Sequence, residues 1–244
     1  SCLWIYTMAD GSVRKLTGGE KERNFIWLDE KTLLFTSDRE KSYAEKVKNG
    51  EDWTCFYKIS ICGGEALEAF SVPARVTSVR TLSRNRYLFM IPFDNYKETR
   101  KASYEVIDEL PFWSNGRGFT NARRNRLAVY DRDAGTLSWV TDEWTDCTAY
   151  SVFGDQILYR GYRWKDEVQG PKPGVYLYSM KTGETRTMIA PKTMRTDGLE
   201  ILNEREAIVS ALPPSEREYN EYCDFYKLNL EDGTLSLFAP FDAS

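Results

Sequence analysis

A short pattern that recurs five times constrains the fold of this chain more than any other feature. Each copy is an apolar, aromatic-rich stretch followed by a polar turn that ends in glycine. The copies are Leu3–Gly11, Phe56–Gly64, Leu127–Gly135, Val175–Gly183 and Phe225–Gly233. The intervals between successive glycines are 53, 71, 48 and 50 residues, so three of the four lie near 50. A near-constant period of this length predicts a repeat architecture.

The residues within each copy predict a β-hairpin. Apolar residues recur seven and five places before the glycine, as Trp4 and Tyr6 do in the first copy. A spacing of two puts both side chains on one face of a strand. Glycine suits the tight turn that follows because it tolerates positive φ.

A second strand pair is predicted between successive copies. The pairs are Phe25–Leu28 with Thr32–Thr36, Val76–Leu82 with Arg86–Pro92, Cys147–Phe153 with Gln156–Tyr162, and Leu199–Leu202 with Ala207–Leu212. Two pairs per period give four antiparallel strands, which is the blade of a β-propeller. The alternative is a β-sandwich whose hairpins resemble one another by chance. The near-constant period favours the propeller.

The predicted fold is therefore an all-β propeller over residues 1–244, with about four and a half four-stranded antiparallel blades. The predicted blades are residues 1–19, 25–72, 75–141, 147–190 and 198–239, with an insertion at 95–124. The first of these supplies only two strands. We therefore expect a piece of a longer polypeptide that provides the missing strands. Open strand edges can also pair with each other, so a homo-oligomer is compatible with this prediction.

The composition excludes several classes of function. The chain contains no histidine, so it cannot form a Ser-His-Asp or Cys-His triad or the usual catalytic zinc site. It also lacks the Gly-x-Ser-x-Gly, Walker and Gly-x-Gly-x-x-Gly motifs. The net charge of −4 and the lack of a long apolar run argue against nucleic acid or a membrane as partner. We assign no catalytic residue, metal or cofactor.

The cysteines suggest a cellular location. There are five of them, an odd number, and none is spaced Cys-x-x-Cys. This pattern favours free thiols over a disulfide framework or a metal site, and hence the cytoplasm. The apolar pattern begins abruptly at Leu3, which leaves open whether a leader was removed.

A family resemblance extends over essentially the whole chain. The segments that carry it are Leu3–Tyr6 with Arg14–Thr17, Leu34–Arg39, Gly63–Glu65, and Ile107–Asn121 followed by Arg123–Leu127. They resemble the propeller domain of prolyl-oligopeptidase-type serine peptidases, in the acylaminoacyl-peptidase and dipeptidyl-aminopeptidase-like branch. In that family the propeller precedes an α/β-hydrolase domain that carries the catalytic Ser, Asp and His.

The resemblance implies a function for a chain without catalytic residues. It would dock on the hydrolase domain of the same parent chain and restrict access to short peptide substrates. The parent would be a serine peptidase. The alternative is a stand-alone TolB-like or scaffold propeller that mediates protein–protein interaction, because TolB-like propellers share the short blade motifs.

The insertion at residues 95–124 is the candidate functional surface, because long connections in compact domains are often functional. The candidate gate or interface residues are Phe112, Trp113, Arg117, Arg123 and Arg124. Exposed aromatics beside arginine are typical of interfaces, but a hairpin that covers the edge of the propeller would look the same. Asp108 and Glu109 suit either the free amino end of a peptide or a solvated acidic turn.

Overall fold

The computed structural model describes residues 1–19, 21–96, 107–110, 113–116, 118–165, 172–214 and 221–241. Within these ranges the regular secondary structure consists of β-strands and one short helix. No helix there is long and apolar enough to cross a bilayer.

The first half of the chain forms two complete sheets and one partial sheet. The first sheet has two strands, β1 (Trp4–Tyr6) and β2 (Val13–Lys15). The second has four, β3 (Arg23–Trp27), β4 (Thr32–Thr36), β5 (Thr54–Ser60) and β6 (Leu67–Val72), with helix α1 (Lys41–Lys48) between β4 and β5. The third starts with β7 (Ser78–Ser83) and β8 (Arg86–Asp94). A short hairpin of β9 (Trp113–Ser114) and β10 (Gly118–Phe119) follows, and then β11 (Arg123–Asp131) and β12 (Thr136–Trp139) complete the third sheet.

The second half of the chain forms two further sheets of four strands. The fourth sheet contains β13 (Thr145–Phe153), β14 (Gln156–Arg163), β15 (Gly174–Ser179) and β16 (Thr185–Ile189). The fifth contains β17 (Arg195–Ile201), β18 (Glu206–Leu212), β19 (Asp224–Asn229) and β20 (Leu235–Ala239). In each four-stranded sheet, every strand pairs with the one that precedes it in that sheet. The four-stranded antiparallel repeat predicted from the sequence is confirmed.

The turn after β1, and the turn after the third strand of each four-stranded sheet, are built on the repeated glycine. All five repeat glycines have positive φ, from 65° at Gly135 to 105° at Gly64. In the turn of the fifth sheet, the N–H of Gly233 donates to the carbonyl oxygen of Asn229 at 2.9 Å. The same bond, at 2.8 Å, joins Gly183 to Ser179 in the fourth sheet. Glycine is favoured here because a side chain would strain the left-handed backbone.

A β-bulge recurs at one position of the repeat. The register of the third and fourth strands shifts directly after Phe56, Val175 and Phe225. Each of these residues lies eight places before its repeat glycine. A bulge increases the local right-handed twist of a strand pair. These three repeats therefore share a backbone distortion as well as a strand order.

The chain divides into two compact units, residues 1–92 with 128–138, and residues 93–127 with 139–244. In the first unit, one apolar cluster contains Phe56, Phe89 and Tyr130, and a second contains Leu3, Phe35 and Tyr57. In the second unit, the fourth and fifth sheets share a cluster of aliphatic residues. Its members include Leu158, Val175, Leu177, Ile201, Val209 and Leu228.

We predict that the aromatic stack of the first unit is a major source of its stability. Phe89 is fully buried, with its ring 5.3 Å from that of Phe56 and 5.5 Å from that of Tyr130. Phe89→Ala should lower the free energy of unfolding by about 3–5 kcal/mol, because it removes buried area and leaves a cavity. Leu67→Ala, at an exposed position of β6, should change it by less than about 0.5 kcal/mol. Urea denaturation measures both, and equal losses would contradict the prediction.

Candidate functional site

The predicted insertion joins β8 to β11, the second and third strands of the third sheet. Its β9–β10 hairpin pairs Trp113 with Phe119, and their rings meet edge to face at 5.1 Å. Both side chains are largely exposed. The hairpin turns tightly because Gly116 and Gly118 adopt positive φ.

A buried ion pair fixes the base of the insertion to the sheet. The Arg124 side chain is fully buried and its Nη2 donates to Glu109 Oε1. The second carboxylate oxygen, Oε2, accepts the Ala122 N–H at 2.8 Å. The guanidinium of Arg124 lies 4.6 Å from the ring centroid of Trp164. Breaking a buried pair of this kind exposes the full cost of an uncompensated charge.

Asn121 and Ala122 complete this anchor. The Asn121 side chain is buried, and its Oδ1 accepts the N–H groups of Asp108 at 3.3 Å and Glu109 at 3.2 Å. Ala122 has a φ of 56°, a left-handed conformation that is strained for a residue with a β-carbon. Its carbonyl oxygen accepts the Asn95 N–H at 3.0 Å. We call Glu109, Asn121, Ala122, Arg124 and Trp164 the anchor cluster.

The other predicted site residues lie nearer the surface. Asp108 is exposed and accepts the hydroxyl of Tyr96, which raises the pKa of Tyr96 because the carboxylate stabilises the protonated phenol. Arg123 is also exposed, and it donates to the Phe119 carbonyl oxygen at 3.0 Å and lies 3.5 Å from Asp94. Phe112 and Arg117 lie outside the described residues.

The structure thus brings Glu109 and Arg124 together and places Trp113 and Arg123 at the surface. Asp108 and Glu109, adjacent in sequence, have different surroundings, because only Glu109 contacts the buried arginine. Asn121 and Trp164, which hold this arrangement, were not identified from the sequence.

Arg126 is a further residue that the sequence analysis missed. Its guanidinium lies 4.9 Å from the ring centroid of Phe93 and 3.9 Å from that of Trp139, and it donates to the Thr141 carbonyl oxygen at 2.8 Å. Burial lowers the pKa of Arg126. The spacing of Arg124 and Arg126 could have identified it from the sequence, because residues two apart lie on the same face of a strand.

Four apolar side chains are exposed in the described part of the insertion, between and before the residues of the anchor cluster in the sequence. They are Ile107, Leu110, Trp113 and Phe119, and we call them the insertion patch. Exposed apolar groups in one short segment mark protein–protein contact sites. A fixed base with apolar side chains at its surface can bind a protein or peptide surface.

The five cysteines are all free thiols. Burial raises the pKa of Cys55 to about 12, and burial also raises the pKa of Cys147. Within the ranges that the structure describes, no group of three or more Cys, Asp and Glu side chains converges as a metal site requires. The buried thiols are therefore packing groups, because only the thiolate is a strong nucleophile.

Comparison with known proteins identifies structures of similar fold. No protein-family model matches the chain, and no curated protein matches its sequence. Among solved structures, the acylaminoacyl peptidase of Pyrococcus horikoshii has 14% identity and a TM-score of 0.64, over 96% of this chain and 34% of that protein. The β-propeller domain of the Trilobed protease from Pyrococcus furiosus has 15% identity and a TM-score of 0.59, over 97% and 62%. TolB from Acinetobacter baumannii has 12% identity and a TM-score of 0.54, over 98% and 49%.

These likenesses show that the chain is an all-β propeller, with sheets like those of prolyl-oligopeptidase-family propellers. The predicted fold class and the family resemblance in fold are confirmed. The chain spans about a third of the length of the acylaminoacyl peptidase structures that it matches. At identities this low, the likeness extends to fold alone.

We predict that the anchor ion pair is essential to the stability of the insertion. Arg124→Met should cost about 3–5 kcal/mol of unfolding free energy, because the Glu109 carboxylate loses its buried cation. The double variant Arg124→Met/Glu109→Leu should recover part of that loss. Arg123→Met, at the exposed neighbour, should cost less than about 1 kcal/mol. Urea denaturation compares the three, and a loss for Arg123→Met as large as for Arg124→Met would contradict this account.

We also predict a large difference in thiol reactivity at pH 8. A raised pKa keeps the Cys55 thiol neutral far above pH 8, and both Cys55 and Cys147 are buried. Ellman's reagent should label the exposed Cys62 within minutes and label Cys55 and Cys147 only after unfolding. Cys62→Ser should remove the largest part of the fast phase and leave at most the half-buried Cys2, while Cys55→Ser should leave the fast phase unchanged. A fast phase that survives Cys62→Ser and disappears in Cys55→Ser would refute the assignment.

Proposed function

We propose that this chain is a non-catalytic propeller domain that docks on the α/β-hydrolase domain of a serine oligopeptidase or aminopeptidase and gates substrate access to it. The hydrolase domain of the same parent chain is the proposed partner, short peptides are the substrates of the parent, and the cytoplasm is the proposed location. The parent supplies the catalytic serine, aspartate and histidine.

The observation that carries this proposal is the insertion. Its patch presents Trp113 and Phe119 to solvent, and aromatic residues of this kind dominate binding energies at protein interfaces. Its base is fixed by the buried pair of Arg124 and Glu109. A surface that is already ordered loses little conformational entropy on binding, which favours docking.

Two further observations support a gating domain over an independent enzyme. The chain contains no histidine, so it does not itself hold the Ser-His-Asp triad that the proposed parent would use. Structures of similar fold include an acylaminoacyl peptidase that is about three times as long as the matched region. In a two-domain arrangement of this kind, the propeller would limit which peptides reach the catalytic serine.

The second candidate is a stand-alone TolB-like or scaffold propeller, which the likeness to TolB favours. The two candidates differ in what the gene encodes after residue 244. A Gly-x-Ser-x-Gly motif within a few hundred codons, followed by Asp and His, supports the peptidase domain. A stop codon soon after residue 244 would rule that proposal out in favour of the second candidate.

We predict that the insertion patch controls substrate access in the parent enzyme. Trp113→Ala/Phe119→Ala should raise the ratio of kcat/KM for a peptide of about 30 residues to that for a tripeptide at least tenfold, because the contacts that close the entrance are lost. Phe153→Ala, an exposed aromatic at the β13–β14 turn, is the matched control and should leave the ratio unchanged. An unchanged ratio in the double variant would exclude gating by the patch.

A further inference from the structure

Two β-bulges of the second unit are bridged by one arginine, Arg160 of β14. In β13, Thr148 is the extra residue of the first bulge and has no partner in β14. In β17, Asp197 is the extra residue of the second bulge and has no partner in β18. Strand β17 lies against both β13 and β14. Bulges often redirect side chains next to functional sites, so the groups around these two bulges are candidates for a binding site.

The guanidinium of Arg160 is held in place by two hydroxyl groups. Its Nε donates to Thr196 Oγ1 at 3.1 Å, and its Nη1 donates to Thr148 Oγ1 at 3.0 Å. Thr196 is fully buried, whereas Thr148 is exposed, so the guanidinium lies between the interior and the solvent. The two hydroxyls are neutral. They therefore fix the position of the guanidinium without compensating its charge.

Arg160 forms no ion pair with any residue that the structure describes, and its Nη2 donates no hydrogen bond to them. Two other arginines of the same unit are paired, Arg163 with Asp142 at 3.0 Å and Arg195 with Asp197 at 3.2 Å. Burial lowers the pKa of Arg160, because it removes the charge from water. Since charges removed from water are normally paired in native proteins, the unpaired guanidinium indicates a site for an anion.

The carboxylate of Asp197 leaves this region with an excess of positive charge. Its Oδ2 accepts Arg195 Nη2 at 3.2 Å and the Cys223 thiol at 3.1 Å. Partial burial raises the pKa of Asp197, but the thiol and the two arginines outweigh this effect and lower it overall, so Asp197 is charged at neutral pH. Among the described residues of the cluster, two guanidinium groups thus share one carboxylate. The balance is one positive charge.

The fold does not require an arginine at this position. Arg160 pairs with Ala149, directly after the bulge of β13. The equivalent residue after the bulge of β17 is Ser210, which pairs with Gly198. The fifth sheet forms the same four-stranded ladder with this small side chain. A partly buried charge at the position of Arg160 therefore has a role other than sheet formation.

We propose that Arg160 is the centre of a binding site for the carboxylate group of a peptide. The N–H groups of a guanidinium match the two oxygens of a carboxylate in spacing and direction, and one excess positive charge matches a monoanion. The Nη2 of Arg160 donates to the bound carboxylate. Thr148 and Thr196 act as positioning residues that hold the guanidinium before the ligand arrives, which reduces the entropy lost on binding.

Titration of the folded chain with short peptides, followed by NMR, tests the site. N-acetyl-triglycine carries only a terminal carboxylate, N-acetyl-Gly-Glu-Gly amide carries only a side-chain carboxylate, and N-acetyl-triglycine amide is uncharged. The amide resonances of Thr148 and Thr196 should shift with the charged peptides and not with the neutral one. The charged peptide that binds more tightly identifies which kind of carboxylate the site takes. Tighter binding of inorganic phosphate than of either peptide would overturn the assignment to a carboxylate.

Two arginine variants of the same strand form a matched pair. Arg160→Gln should weaken binding of the preferred peptide at least about tenfold, because the charged hydrogen bonds are lost. Arg163→Gln, whose side chain is exposed and already paired with Asp142, should change the affinity less than about twofold. Circular dichroism checks that both variants are folded. Equal affinities of the two variants would contradict the proposal.

Asp197→Asn should have the opposite effect. It removes the carboxylate that competes with the ligand and releases Arg195, so it should tighten binding about threefold or more. Because the Asp197 side chain is half-exposed, this variant remains a test even if Arg160→Gln does not fold. Unchanged or weaker binding would contradict the charge balance of the site, and an absence of shifts at Thr148 and Thr196 with both charged peptides would overturn the site itself. None of these results depends on whether the insertion patch gates a peptidase.

Discussion

The structure depends on inner strands that are apolar on both faces. In β4, Leu33 and Phe35 pack into one cluster of the first unit and Leu34 packs into the other. Each such side chain contributes roughly 1.5–3 kcal/mol when it is fully buried. A sheet of this composition is not stable with only one face covered, and the second sheet is accordingly covered on both faces within the first unit.

This constraint explains why much of the fold could be predicted from the sequence. Strand β4 has the limits that were predicted, Thr32–Thr36, and β14 differs by one residue at its end. Such strands are visible because their apolar runs are continuous and a turn residue follows within a few positions. The repeat glycines were identifiable for the same reason, since positive φ is a local requirement of the backbone.

The candidate site was less predictable because its contacts are not local. Glu109 and Arg124 are 15 residues apart in the sequence, and nothing in their neighbours identifies them as partners. The Asn121 side chain, which accepts the backbone N–H groups of both Asp108 and Glu109, looks like an ordinary loop residue until the fold is known. Charge and residue type are visible in a sequence, but burial of a charge is a property of the folded chain.

The glycine turns also determine where the chain can change length. The turn after each third strand is short and needs a left-handed glycine, so an added residue there would shift the register of the outer strand. The connection from the second to the third strand has no such requirement. This connection has 17 residues in the second sheet, between β4 and β5, 28 in the third, between β8 and β11, and 10 in the fourth, between β14 and β15. Insertions and deletions can therefore accumulate at one end of each sheet during evolution while the strand pairing stays the same, so new binding surfaces can arise there without a change of fold.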